Sequence, residues 1–223
     1  MLGSGRMRST DMRILALDIS TTTGWALGES LSDEKPLFGV ERLRPKGMKD
    51  EDGEPAKMMD QVEASAAQMG RFIRNICFIQ STRPELIVYE SAILPFERKP
   101  DVDENGRPLR PHKPIRRNMN SMLTPLLALG GLCAIAAPYG IPVERVANQT
   151  WMKHYTGSGR HGSREAAKAE ALVWGKRLGY LPADCRDTDI GDAVGIWDWA
   201  AAYFGRRIPK ELTLSSPPGP RHG

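Results

Sequence analysis

Residues 17–27, LDISTTTGWAL, decide the fold of this 223-residue chain. They join an apolar run over residues 13–17 to a second β-rich run over residues 23–28 through a short polar turn. Apolar runs separated by so few residues are typical of adjacent antiparallel strands. Residues 37–43 continue the pattern, so we predict a three-stranded antiparallel meander in which Asp18 ends the first strand.

A helix and a fourth strand follow the meander. Apolar residues recur at spacings of three and four from Met58 to Ile76, which predicts a long helix. The β-rich run over residues 86–89 ends on Glu90, and a strand reached through a crossover helix lies parallel to the first strand of the same sheet. Further elements are predicted as a helix over 119–139, a strand over 143–146, and helices over 163–178 and 188–204. The order βββαβαβαα predicts an α/β domain with a mixed five-stranded sheet flanked by helices.

Composition predicts one folded domain with loose ends. With 40% hydrophobic and 26% charged residues, the chain is unlike collagen-like or wholly disordered sequences. Residues 1–11 are small and polar, and 207–223 become rich in Pro, Gly and Ser. We therefore expect a disordered leader, a domain over residues 12–206 and a flexible tail.

The cellular location is predicted from cysteines and apolar runs. The three cysteines form no CxxC motif, which indicates a reducing cytoplasm. No N-terminal run has the length of a signal-peptide core. The sixteen-residue apolar run over 122–137 is shorter than the ~20 residues needed to cross a bilayer, so no membrane partner is expected.

Acidic residues lie where predicted elements meet. If the first and fourth strands are parallel neighbours, Asp18 and Glu90 emerge side by side at one sheet edge. Asp189 and Asp192 are three residues apart at the start of the last helix and share one face of it. Singly, an acid after a strand is commonly a turn residue, and Asp189 alone is more often a helix N-terminal charge.

Together, the four acids predict a metal site. Carboxylates brought within a few ångströms repel one another unless protons or cations lie between them. All-oxygen ligand sets favour Mg²⁺, for which Mn²⁺ can substitute. Two such ions about 3.5–4 Å apart can activate a water and stabilise the leaving oxygen of a phosphodiester.

Four blocks of sequence carry a resemblance to a known family. They are LDISTTTGWAL at 17–27, IVYES around Glu90, WMKHYTGSGR at 151–160, and DIGDAVGIW with its D-x-x-D-A of Asp189, Asp192 and Ala193. These blocks resemble motifs of the RuvC-type Holliday-junction resolvases, which belong to the RNase H-like superfamily. In order, they are similar to that family's first two strands, its second acid, its Lys-containing segment ending in GxG, and its final acids. The resemblance covers about residues 13–204.

The resemblance implies an RNase H-like fold and a Mg²⁺-dependent endonuclease that resolves four-way or branched DNA by paired cuts. It implies that Asp18, Glu90, Asp189 and Asp192 are the catalytic and metal-binding residues, holding two ions. A homodimer is also expected, since a two-fold substrate is matched by a two-fold protein. The resemblance implies that the 119–139 helix forms its interface, although the pattern of that helix is equally typical of a core element. Basic residues that would offset charge at the scissile phosphate are Lys153 and either Arg164 or Lys168.

The sequence departs from the family pattern at three points. Ile19 and Ser20 replace the usual Pro-Gly after the first acid, the spacing after Gly159 is changed, and the segment over 95–117 is long. That segment contains several prolines and a local excess of basic residues, which is typical of a solvated loop or of a basic insertion that contacts DNA phosphates. The residues that would make these contacts are Arg107, Arg110, Lys113, Arg116 and Arg117.

Residues 157–162 spell GxGxxG, the dinucleotide-binding fingerprint. That motif needs a strand running directly into it, whereas the polar WMKHYT precedes it here, so we expect no nucleotide cofactor. The alternatives are an interhelical loop and a contact to a DNA phosphate that Arg160 and Arg164 would assist. The four histidines have no metal-ligand spacing and are predicted to be surface residues, and the tryptophans at 151, 174, 197 and 199 to belong to the core.

Other functions share the same acids. A ribonuclease H or a flap-type nuclease would use the same carboxylates, and a non-catalytic DNA- or partner-binding module could keep the same fold. Comparing cleavage of a four-way junction with cleavage of an RNA–DNA hybrid distinguishes a resolvase from a ribonuclease H. Mg²⁺-dependent turnover distinguishes these enzymes from a non-catalytic binding module.

Overall fold

Strand β1 (Arg13–Asp18) lies at the centre of a five-stranded sheet. It pairs antiparallel with β2 (Thr22–Glu29) and parallel with β4 (Leu86–Glu90). Strand β3 (Leu37–Arg42) pairs antiparallel with β2, and β5 (Val143–Val146) pairs parallel with β4. The order is therefore β3-β2-β1-β4-β5, which confirms the predicted mixed sheet.

The computed structural model describes residues 11–43, 57–79, 81–90, 119–159 and 161–205. Within them, two helices cover one face of the sheet and three cover the other. The first pair is α1 (Met58–Phe78) and α2 (Met119–Ala136), and the others are α3 (Asn148–Thr156), α4 (Arg164–Arg177) and α5 (Thr188–Phe204). The expected leader, basic insertion and tail fall almost entirely outside the described residues and stay predictions.

Side chains of β1 alternate between two buried layers. Ile14 and Ala16 belong to the core cluster shared with α3, α4 and α5, whereas Leu15 and Leu17 pack with α1 and α2. Successive side chains of a strand point to opposite faces, and both faces here are covered, so the strand is apolar throughout. The same alternation places Asp18 on the α5 face, at the carboxyl end of the strand.

Helix α3 is absent from the predicted order βββαβαβαα. Its N-cap, Ala147, offers no side-chain hydrogen bond, so the usual Ser, Thr, Asp or Asn signal for a helix start is missing. The helix has only nine residues, and it buries Trp151, Met152 and Tyr155. It ends at Gly157, whose φ of 81° and N–H bond to the Lys153 carbonyl form a left-handed C-cap. The first glycine of GxGxxG therefore ends a helix.

Helix α2 agrees with its predicted span. It runs over Met119–Ala136 and continues into a short 3₁₀ turn at Ala137–Tyr139, so the predicted 119–139 helix is confirmed with a tighter last turn. None of the described helices combines the length and the apolar character needed to cross a membrane.

The start of α5 lies very close to strand β2. Gly24 pairs with Asp18 across the β1–β2 ladder, and a Cβ atom at Gly24 would lie 1.9 Å from the backbone oxygen of Asp189. No side chain fits in that space, because real Cβ contacts do not fall below 3.0 Å. The glycine thus allows the first turn of α5 to rest directly on the sheet.

We expect Gly24→Ala to lower the free energy of unfolding by about 1–3 kcal/mol or more, because backbone must shift to accept the methyl group. Urea denaturation followed by circular dichroism measures the change. The control is Gly162→Ala, at a glycine with no atom within 4 Å of the new Cβ. An unfolding midpoint unchanged by Gly24→Ala would contradict this account of the α5 contact.

Candidate active site

Three aspartates surround one lysine at the carboxyl edge of the sheet. The Lys168 Nζ lies 2.5 Å from Asp189 Oδ1, 3.0 Å from Asp192 Oδ2 and 3.3 Å from Asp18 Oδ2. These side chains come from α4, from the first turns of α5 and from the end of β1. The structure therefore brings Lys168 together with Asp18, which lies 150 positions away in the sequence.

Local capping and one glycine place the two helices. The Ser163 side chain accepts a hydrogen bond from the Ala166 N–H and begins α4, and the Asp187 side chain accepts one from the Asp189 N–H and begins α5. Gly191 lets the helices approach, since a Cβ there would lie 2.9 Å from the Leu172 nitrogen. The close packing holds Lys168 over the aspartates.

Burial makes two of the aspartates, Asp18 and Asp192, costly to ionise. Asp18 is 7% exposed and Asp192 is 5% exposed. Desolvation raises the pKa of Asp18 against the opposing effect of Lys168, and desolvation together with Asp18 raises the pKa of Asp192 to about 7. Burial acts to lower the pKa of Lys168, but the carboxylates outweigh it and the net pKa is raised. The carboxylates therefore keep the Lys168 side chain in its charged ammonium form.

Glu90 completes the acidic edge by a different arrangement. It follows Tyr89, which pairs with Leu17 in the parallel β1–β4 ladder, so Glu90 ends its strand beside Asp18. Its Oε2 accepts a hydrogen bond of 3.0 Å from Asn148 Nδ2 and one of 2.8 Å from Trp151 Nε1. Burial and then Asp18 raise the pKa of Glu90, while these two donors oppose the rise.

The residues fit a divalent metal by their chemistry. Carboxylate oxygens are the ligands that Mg²⁺ and Mn²⁺ prefer, and three of the four acids already share one cation, the Lys168 ammonium. In the part of the chain that the structure describes, no group of three Asp, Glu, His or Cys side chains has the spacing of a metal site. A metal ion would therefore take over oxygens that Lys168 now occupies.

The other predicted basic residues are not in contact with the acids. Lys153 is exposed on α3, and no ion pair links it to an acid among the described residues. Arg164 is exposed at the first position of α4, one helical turn from Lys168. Of the two alternatives for the basic residue at the acids, the structure places Lys168 there. Arg160, Arg107, Arg110, Lys113, Arg116 and Arg117 lie outside the described residues.

Sequence reasoning missed Asn148 and misjudged His161. Trp151 is a core residue as predicted, with no exposed surface, but its indole N–H also reaches Glu90. His161 is not a surface residue, since its side chain is 8% exposed and its ring nitrogens face the Glu170 carboxylate and the Ser158 carbonyl. The only available signal for Asn148 was its position two residues after the end of the last strand.

Comparison with known proteins gives a likeness of fold. Over 86% of its length the chain is similar to the Thermus thermophilus RuvC structure, with a TM-score of 0.56, 16% identity and 95% of that chain covered. It is also similar to T. thermophilus RuvC in complex with a Holliday junction substrate, with a TM-score of 0.54, 15% identity, and 86% and 94% of the two chains covered.

A third similar structure is the yeast mitochondrial Holliday junction resolvase Ydc2, with a TM-score of 0.46, 14% identity, and 86% and 80% coverage. No family model and no curated protein matches the sequence. The likeness to the two T. thermophilus structures shows that the chain has a RuvC-like, RNase H-like fold.

We expect Asp192→Asn to stabilise the protein above pH 7 and to have little effect near pH 4. Because the pKa of Asp192 is raised to about 7 from its model-compound value of 3.8, the folded state binds a proton there that the unfolded chain releases. The stability contributed by that proton is complete below the unfolded-state pKa and is lost as the pH rises through about 7.

The variant removes the cost of ionising a buried carboxyl but also weakens one ion pair to Lys168. We therefore expect Tm at pH 8 to rise by about 4–8 °C, which corresponds to about 2 kcal/mol for a chain of this size. Differential scanning fluorimetry from pH 4 to pH 8 measures the difference, with the exposed acid Glu144→Gln as control. A Tm difference independent of pH would be inconsistent with the raised pKa.

Proposed function

We propose that this chain is a divalent-metal-dependent endonuclease that resolves Holliday junctions or closely related branched DNA. The observation that carries the proposal is the convergence of Asp18, Asp189 and Asp192 on one cation at the carboxyl edge of a RuvC-like sheet, with Glu90 on the neighbouring strand. A related fold, that of T. thermophilus RuvC, has been solved with a Holliday junction substrate, which supports the choice of substrate.

The four acids would hold two Mg²⁺ ions, with Mn²⁺ as a substitute. Bound ions of this kind activate a water and stabilise the leaving oxygen of a phosphodiester. Lys168 opposes the rise in the pKa values of Asp18 and Asp192, because its ammonium favours their ionised forms. With metal ions bound to the carboxylates, the flexible four-carbon arm of Lys168 would allow its ammonium to offset charge at the scissile phosphate.

DNA contacts are assigned to the exposed basic residues near this edge. Lys153 and Arg164 are exposed on α3 and α4, where their charges are available to phosphates. Arg160 and the basic segment over 95–117 are proposed to extend this surface.

We expect Asp18→Asn, Glu90→Gln and Asp192→Asn each to reduce Mg²⁺-dependent cleavage of a four-way junction by more than about 100-fold, since even the partners of metal ligands are worth 10–100-fold. Junction binding should persist or strengthen, because each change removes negative charge facing the phosphates. Single-turnover cleavage and gel-shift titration measure the two properties. Glu144→Gln, which alters an exposed acid on β5, is the control.

Substrate choice is tested with the same proteins. A four-way junction, a flap and an RNA–DNA hybrid are cleaved in parallel, and the junction should be the preferred substrate. Preference for the hybrid would favour a ribonuclease H, and preference for the flap a flap-type nuclease. Substantial turnover in all three acid variants would refute the assignment of the carboxylates.

An exposed apolar stripe on α2 supports a homodimer. Leu126 and Leu127 are 40% and 38% exposed, and Gly130, Cys133 and Ala134 are exposed on the same side of the helix. At 100° per residue these positions span about a third of the helix circumference. A stripe of this kind fits a second copy of the helix, and a two-fold dimer suits a substrate that needs two opposed cuts.

We expect the wild type to have twice the mass of one chain by light scattering, and Leu127→Glu to shift it to a monomer. A carboxylate in an apolar interface is desolvated without a partner, which costs several kcal/mol. Leu178→Glu is the control, because Leu178 is 46% exposed but lies beyond α4, away from the stripe. A wild-type monomer, both free and bound to a junction, would count against the dimer.

A further inference from the structure

One oxygen of Glu90 accepts hydrogen bonds from two side chains. Asn148 Nδ2 and Trp151 Nε1 both donate to Oε2, at 3.0 Å and 2.8 Å. Among the described residues no donor contacts Oε1. A carboxylate fixed in this way keeps a definite orientation, because rotation about its Cγ–Cδ bond would break both hydrogen bonds.

The two donors are rigid because of their place in the fold. Strand β5 pairs Val146 with Glu90, and only Ala147 separates that strand from α3. Asn148 and Trp151 are three apart in the first turns of α3 and therefore share a face. The Trp151 ring is fully buried against Gly195, where a Cβ would lie 2.7 Å from its Cζ3. The indole therefore has no room to turn away from Glu90.

We propose that Asn148 and Trp151 are positioning residues which hold Glu90 so that its Oε1 faces the metal-binding edge as a ready ligand. This inference rests on the proposed function, because it concerns the metal that the acids would bind. Neither residue would touch the metal or the DNA. Each would act through Glu90 alone, as donors to metal-ligating carboxylates do.

A purely structural role makes a different prediction. If Trp151 serves only to fill the core and Asn148 only to begin α3, their loss would lower stability without changing metal affinity. A positioning role predicts instead that substitutions which remove only the donor lower the metal affinity and change the stability little. Metal affinity therefore distinguishes the two roles, and thermal stability is recorded beside it.

The test measures Mn²⁺ binding to the full chain by electron paramagnetic resonance of the free ion, without DNA. Asn148→Ala and Trp151→Phe should each weaken the affinity by about 10–100-fold. Gln149→Ala is the matched control for Asn148, as an exposed neighbour in the same turn. Trp174→Phe is the control for Trp151, as a half-buried indole that lies outside the site. Both controls should bind Mn²⁺ like the wild type.

A double-mutant cycle tests whether the effect passes through Glu90. In a Glu90→Ala background, Asn148→Ala should cause no further loss of Mn²⁺ affinity. Equal affinity of wild type and Asn148→Ala would overturn the inference while leaving the metal site intact. An equal additional loss in the Glu90→Ala background would overturn it as well. If Trp151→Phe does not fold, Asn148→Ala decides. A wild type that binds no Mn²⁺ would overturn both this inference and the proposed function.

Discussion

The structure depends on a single ammonium group shared by three aspartates, two of which are buried. Asp18, Asp189 and Asp192 come from two separate elements, and Lys168 reaches them from a third. Without a cation among them, carboxylates at this spacing would repel one another in surroundings that screen charge poorly. The ammonium therefore does structural work in holding β1, α4 and α5 together. The same charge balance makes the cluster receptive to a cation of higher charge.

Backbone packing determines whether that cluster can form. Gly24 admits the Asp189 carbonyl against the sheet, and Gly191 admits α4 against α5. Both glycines act by lacking a Cβ, which allows backbone to pack against backbone. The elements that carry the acids can approach because Gly24 and Gly191 place no side chain between them. A larger residue at either position would push these elements apart.

Much of this arrangement could be predicted from the sequence, and the part that could not has a physical reason. Strands such as β1 show their apolar pattern within a few residues, and parallel pairing then puts Asp18 beside Glu90. Helix α3 has nine residues and no side-chain cap, so its local signal is weak. The partners of Glu90 lie 58 and 61 positions away, and a tryptophan's burial gives no indication of where its N–H points. Sequence alone also left Arg164 and Lys168 as alternatives, because one helical turn separates them.

The two halves of the acidic edge are held by different kinds of partner, and this difference has consequences for metal binding. The aspartates are stabilised by a charge that a divalent ion would replace, so that half must exchange one cation for another. Glu90 is stabilised by two neutral donors on one oxygen, and these need not move when a cation arrives. Its orientation would therefore be preserved through the exchange. In the proposed metal site, Glu90 would be the preorganised half, and the aspartates with Lys168 would be the half that adapts.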